Sequence, residues 1–163
     1  MSLARNLSRR TLAWGAALLL WVGFVWGNSL VGGAASSAES GRVVTLLRPL
    51  FEATGVTDLD LMTFAVRKCA HFSEYAVLGG IARTFWTRVS RELGSRASSS
   101  RRRVFLAGLV LTTLVPCLDE TIQLFVPGRA GMITDVMIDC CGAATGVVLR
   151  YLLRPLMRAK KAA

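Results

Sequence analysis

Arg67, His71, Glu74 and Leu78 are spaced four, three and four residues apart, a rhythm that sets them on one face of a helix. An imidazole and a carboxylate on neighbouring turns are a general acid/base pair in the making. A guanidinium beside them can hold an anion or stabilise developing negative charge. Lys68 and Tyr75 flank this face. The spacing recurs further along: Asp119 and Gln123 are four apart with Glu120 between them, and Asp135 and Asp139 are again four apart. Arg129 stands between these two groups. One histidine, five carboxylates, three cations and an amide are thus carried by three short segments.

The elements that carry them are strongly apolar. The chain has 163 residues, 53% hydrophobic and 18% charged, yet its formal net charge is +10. The apolar fraction excludes a disordered chain. Leu12 to Val31 is free of charge and long enough to cross a bilayer of roughly 30 Å as a helix, with Arg5, Arg9 and Arg10 before it and Trp14, Trp21 and Trp26 within it. A signal peptide competes with this reading through the small residues at 32–38, but the apolar stretch is long for an h-region. Val43, Leu46, Leu47, Leu50 and Phe51 recur at helical spacing and predict a short interfacial helix, which Pro49 weakens. Thr57, Asp58 and Asp60 supply cap chemistry for a helix beginning near Leu61. Further apolar segments give spans of about 64–86, 104–126 and 132–151, with a basic cytoplasmic stretch over 87–103 that reads as a loop or a short solvated helix. The expected fold is all-α, a single polytopic membrane bundle of four transmembrane helices with a short interfacial helix between the first two.

Charge then orients the bundle. With both termini cytoplasmic, the inner segments hold fifteen of the 20 Lys and Arg residues and Glu92 as their one acid, while the outer half carries nine acids against five cations. This is the asymmetry the positive-inside rule describes. A nucleic-acid binder would gather its cations on one surface with no hydrophobic spans between them, so no nucleic-acid partner is expected. The lipid bilayer is the partner instead. In this orientation every ionisable group within the spans lies near the outer end. Such groups cost several kcal/mol each unless paired or hydrated, and by default they mark function. A purely structural network is the plainer account of them. Gly79, Gly80, Gly142 and Gly146, however, would hold helices together without it.

Arg67-Lys68-Cys69-Ala70-His71-Phe72-Ser73-Glu74-Tyr75 with Leu78-Gly79 resembles the first signature block of the VanZ-like family. The run from Asp119 to Arg129, with Asp135 and Gly142, is similar to the second. The resemblance covers about Leu12 to Leu153. It departs from the family pattern at Asp139, where an asparagine is usual. It implies a small, multi-pass protein of the bacterial cytoplasmic membrane. The namesake is associated with low-level resistance to teicoplanin, and the resemblance does not by itself extend that role to this chain.

Two function classes follow. In the first, Arg67, Lys68 and Arg129 grip the phosphate or carboxylate of a lipid-linked or amphiphilic envelope ligand, with Tyr75, Gln123, Asp135 and Asp139 also lining its site. In the second, the protein is a membrane-embedded hydrolase or transferase acting on a lipid-linked or phosphorylated envelope substrate. His71 and Glu74 would then be the acid/base pair, with Asp119 or Glu120 orienting the histidine. No cofactor is required. A divalent cation, Mg²⁺ or Mn²⁺, would suit His71, Glu74 and some of Asp119, Asp135 and Asp139. An ion relay fares worst, because the inner halves of the last two spans carry no polar residues to continue it. Cys69, Cys117, Cys140 and Cys141 read as small packing residues.

Overall fold

A computed structural model describes residues 7–93 and 98–153. They form five helices: α1 (Arg9–Ser29), α2 (Gly33–Ala53), α3 (Leu59–Leu93), α4 (Ser98–Gln123) and α5 (Ile133–Leu152). There is no strand among the described residues.

Several boundaries follow from local chemistry. Asp58 caps α3, its Oδ1 accepting from the backbone N–H of Asp60 at 2.8 Å and of Leu61 at 3.3 Å, as the Thr57–Asp60 run predicts. α4 ends at Gln123, short of the expected 126, because its last turn tightens. Leu124, Phe125 and Val126 each donate to the carbonyl three residues back, a 3₁₀ pattern leading into Pro127 and Gly128 (φ +75°).

One expectation changes and another is decided. The interfacial helix is not short: α2 runs 21 residues, through Pro49, and begins at Gly33. Ala34, Ala35 and Ala38 are strong helix formers. Gly33 starts the helix because its N–H donates to the Pro127 carbonyl at 3.0 Å, and a Cβ there would collide with the Gly128 backbone. Of the two readings of 87–103, the described residues take the helical one rather than the loop. α3 continues to Leu93 and α4 begins at Ser98, leaving only residues 94–97 of that stretch outside the described ones. Arg, Glu and Leu favour helix wherever no packing opposes it.

Paired contacts give the helix directions. Ser8 meets Glu92 and Trp21 meets Glu74, so α1 and α3 are antiparallel. Trp86 packs on Gly108 in the first half of α4, in the half of the bundle that holds Glu92. Lys68 meets Asp135, Phe72 meets Gly142, Ala76 meets Gly146 and Thr84 meets Arg150, so α3 and α5 run parallel. α3 packs against α5 more extensively than any other pair, and α2 lies against α3. The glycines make this contact possible. A Cβ on Gly79, Gly142 or Gly146 would overlap a carbonyl of Ala143, Phe72 or Ala76 respectively, the small-residue packing expected of these positions.

The polarity of the bundle is inverted. Asp119, Glu120, Gln123 and Asp139 are buried, while Leu19, Leu20, Leu46, Phe125 and Ile133 are each at least 75% exposed. Val25, Tyr75, Leu78 and Ala143 form a small apolar core. The four cysteines are free, and Cys69, Cys117 and Cys141 face outward rather than packing inside. By length and composition, α1 alone among the described residues is apolar enough to cross a membrane. α4 and α5 carry the carboxylates of Asp119, Glu120 and Asp139 inward.

Glu92, the one acid of the basic end, has a defined place. Its carboxylate accepts from the Ser8 N–H and hydroxyl, both at 2.8 Å, and from the Thr11 hydroxyl at 2.7 Å. It therefore sits at the positive end of the α1 dipole, and these donors, Ser8 N–H first, hold its pKa below the ordinary carboxylate range.

Two predictions follow. Gly146→Val should lower detergent-solubilised stability by about 1–3 kcal/mol, the usual cost of overpacking, whereas Gly23, with nothing within 4 Å of a Cβ, should accept Ala with a gain of about 0.5–1 kcal/mol. Equal responses in thermal unfolding would refute the close α3–α5 contact. Because Glu92 is more acidic folded than unfolded, its contribution is present above the ordinary glutamate pKa of about 4.3 and is lost as pH falls through the lower folded value. Hydrogen-exchange protection at the start of α1, taken relative to intrinsic exchange at each pH, should fall across that acid window. Glu92→Gln should abolish this pH dependence of protection.

Candidate functional site

The polar groups gather at the end of the bundle where α1 and α4 finish and α3 and α5 begin. They divide into a cavity and a buried cluster, and His71 belongs to both.

The cavity has a volume of about 200 Å³ and is walled by α1, α2, α3 and the α4–α5 turn. Arg67, His71 and Glu74 line it from α3, as their shared face predicts. Asn28 and Ser29 line it from α1, Glu39 and Ser40 from α2, and Arg129 from the turn. Glu74 Oε1 accepts from Asn28 Nδ2 at 2.9 Å, and its backbone carbonyl accepts from Trp21 Nε1 at 2.9 Å. Arg129 is committed to α1. Its Nε donates to the Val31 carbonyl at 3.0 Å and its Nη2 to the Asn28 carbonyl at 2.9 Å. The Asn28 carbonyl lies in the last turn of α1, where it also accepts from the Val31 N–H at 3.2 Å, and Val31 lies just past the helix end; a cation suits that end of the dipole. Arg67 differs, with no hydrogen bond or ion pair among the described residues.

Lys68 and Asp135 do not reach the cavity. They pair with each other across the α3–α5 seam, and the Lys68 ammonium lies 5.1 Å from the centroid of the Phe64 ring. Tyr75 is fully buried in the core beside Asp119 rather than on the cavity wall.

Behind His71 lies the cluster. His71, Asp119, Glu120 and Asp139 each offer one ligand atom, and these atoms all lie within 4.8 Å of one another. The His71 neighbour is Asp139, with Nδ1 at 3.5 Å from Oδ1, not Asp119 or Glu120 as an acid/base reading of the sequence expects. The parallel α3–α5 register brings these two together. Glu120 is held by the Met132 N–H at 2.8 Å on Oε2 and by Gln123 Nε2 at 3.1 Å on Oε1. Gly131 permits this, since a Cβ there would fall on the Glu120 carbonyl. Asp119 meets Gln123 at 3.5 Å through Oδ2. Four atoms here are buried without a hydrogen-bond partner: His71 Nδ1, Asp119 Oδ1 and both Asp139 oxygens. The metal-ligand set expected from the sequence changes accordingly. Glu74 is turned to Asn28 and Asp135 to Lys68, while Glu120 joins the group.

Asn28 and Ser29 were not among the expected site residues. The available signal was their place near the end of the otherwise apolar Leu12–Val31 stretch, where they are the only carboxamide and hydroxyl.

Removing one partner of a largely buried ion pair strands the other charge. Asp135→Asn should therefore cost on the order of 3 kcal/mol, and the double change Lys68→Met with Asp135→Leu appreciably less. A thermal-unfolding double-mutant cycle checks this, and additive losses would show that the two residues do not interact.

No curated protein and no solved structure matches this chain. The VanZ/LLP1 family model matches residues 14–154, a stretch that runs from within α1 to just beyond α5 and includes the cavity, the buried cluster and the seam between α3 and α5. By that match the chain belongs to the VanZ/LLP1 family.

Proposed function

We propose that the protein is a four-span envelope protein of the bacterial cytoplasmic membrane, with both termini cytoplasmic, and that its cavity holds the anionic head of a lipid-linked or amphiphilic envelope ligand. The spans are α1, α3, α4 and α5, with α2 along the outer interface. Three things support this topology. The helix directions alternate in chain order once α2 is set aside. The exterior is apolar and the interior polar, which suits a hydrocarbon solvent. Arg9, Arg10, Arg83, Arg88, Arg91, Arg102 and Arg150 fall at the end of the bundle opposite the cavity, the distribution the positive-inside rule requires.

Arg67 carries the ligand reading. It is a half-buried guanidinium on a cavity wall with no anionic partner among the described residues, close enough to Arg129 for the two like charges to repel. A bound phosphate or carboxylate would relieve both. Lys68 is spent on Asp135, so the three-cation grip read from the sequence reduces to Arg67 with Arg129 beside it. The exposed Val43, Leu46 and Leu50 of α2 offer an apolar surface for an acyl or prenyl tail.

The hydrolase or transferase reading has one observation in its favour: the cavity-lining His71 is backed by a buried carboxylate, Asp139, as a general base is.

The test is binding of a fluorescent polyprenyl phosphate to the full chain in nanodiscs. Saturable binding should fall at least ~10-fold in Arg67→Gln, about the worth of one charge-assisted hydrogen bond. Production of the protein in a susceptible bacterium should raise teicoplanin tolerance, and the same variant should cancel the rise at unchanged abundance. Binding that is unsaturable or indifferent to Arg67 would refute the ligand reading.

A further inference from the structure

We infer that His71, Asp119, Glu120 and Asp139 form an inner-sphere site for a divalent cation of the Mn²⁺ type. The site lies behind the cavity that Arg67 serves and shares only His71 with it, and the inference does not depend on what that cavity binds.

Four donor atoms within 4.8 Å of one another have the spacing of ligands around one cation. Metal–oxygen bonds of about 2.1–2.4 Å put neighbouring ligands roughly 3–3.4 Å apart and opposite ones about 4.2–4.8 Å apart. Proximity alone would be a cluster of acids. The second observation is that Asp119 and Asp139 are fully buried, and that Asp119 Oδ1 and both Asp139 oxygens accept no hydrogen bond, the group facing Asp139 Oδ1 being His71 Nδ1 at 3.5 Å. Buried polar groups are normally satisfied, and an orphan carboxylate oxygen is costlier than most. A cation taking one atom from each of the four residues would satisfy Asp119 and Asp139 together.

The other donors are already oriented. Met132 N–H and Gln123 fix Glu120, and Gln123 also meets Asp119. Outer partners of this kind accompany metal-binding carboxylates. Charge points the same way. Three carboxylates and a neutral imidazole leave three negative charges in a low-dielectric interior. A divalent ion reduces them to one. A route in exists as well, since His71 also lines the cavity, where Glu39 and Glu74 can attract a cation.

The donor set selects the metal. One imidazole with three carboxylates disfavours Mg²⁺, which keeps oxygen ligands and water, and the predominance of carboxylate oxygens suits a harder ion than zinc. Manganese accepts both donor types.

The test uses the full chain in detergent, dialysed against chelator and titrated with MnCl₂, while electron paramagnetic resonance counts free Mn²⁺. One Mn²⁺ per chain is expected, with excess MgCl₂ leaving most of it bound. Asp139→Asn and Glu120→Gln should each weaken binding by at least ~100-fold, the upper end of what an outer-shell loss costs. Glu74→Gln and Arg67→Gln should bind as the parent does. Size-exclusion profiles show which variants are folded, and the wild-type stoichiometry decides the matter if the cluster variants are not. Failure of the parent to bind Mn²⁺ stoichiometrically, or undiminished binding by a folded Asp139→Asn, overturns the site. Free exchange with Mg²⁺ overturns the choice of metal. Loss of polyprenyl-phosphate binding in Arg67→Gln with Mn²⁺ intact would keep the two readings separate.

Discussion

Between α3 and α5 the two backbones meet where no side chain fits, at Gly79, Gly142 and Gly146, and this steric constraint fixes the register of everything around it. In a parallel pair so closely packed, Lys68 must face Asp135, His71 must face Asp139 and Thr84 must face Arg150. A slip of one turn, about 5.4 Å, would break all three pairings together. The polar chemistry is therefore secured by van der Waals contact. Ion pairing alone would be a poor anchor, because burying charges costs about as much as their attraction returns.

Within that frame the polar residues serve two ends. One part of the network completes the fold: Arg129 closes the carbonyls of α1, Lys68 neutralises Asp135, and Asn28 holds Glu74. The other part is left incomplete. Arg67 on the cavity wall lacks an anion, and Asp119 Oδ1 and both Asp139 oxygens behind it lack donors. A structural network ordinarily satisfies its members. Unmet groups of opposite sign on either side of one histidine are hard to explain by packing alone.

Much of this was legible in the sequence because it is written in helical spacing. The four-residue repeats at Arg67–His71, Asp119–Gln123 and Asp135–Asp139 place each group on one face, and the glycines of the last helix foretell its close contact. Other features were not legible, for physical reasons. Periodicity says which residues share a face but not which faces meet, so the partner of His71 had to come from the tertiary register. Arg129 reads as a ligand-binding cation because nothing local shows that the end of α1 lies within its reach. The length of α2 was hidden by small residues, Gly33 to Ala38, whose three alanines favour helix but whose lack of hydrophobic pattern resembles a linker. The extent of α3 was hidden in the same way by the polar run after Thr87.

The two ends of α1 are held from outside the helix. Glu92 of α3 closes its first turn, and Arg129 of the α4–α5 turn closes its last. A helix tethered so at both poles cannot slide along its axis like a piston, since movement either way pulls a charged side chain off its donors or its carbonyls. Over 21 residues, about 32 Å, α1 therefore acts as a strut of set length between the two faces of the bundle. Any change of shape that opens the cavity has to come from the remaining walls, and α2, which touches chiefly α3 and enters from the short turn at Leu30–Gly32, is the wall with least to hold it.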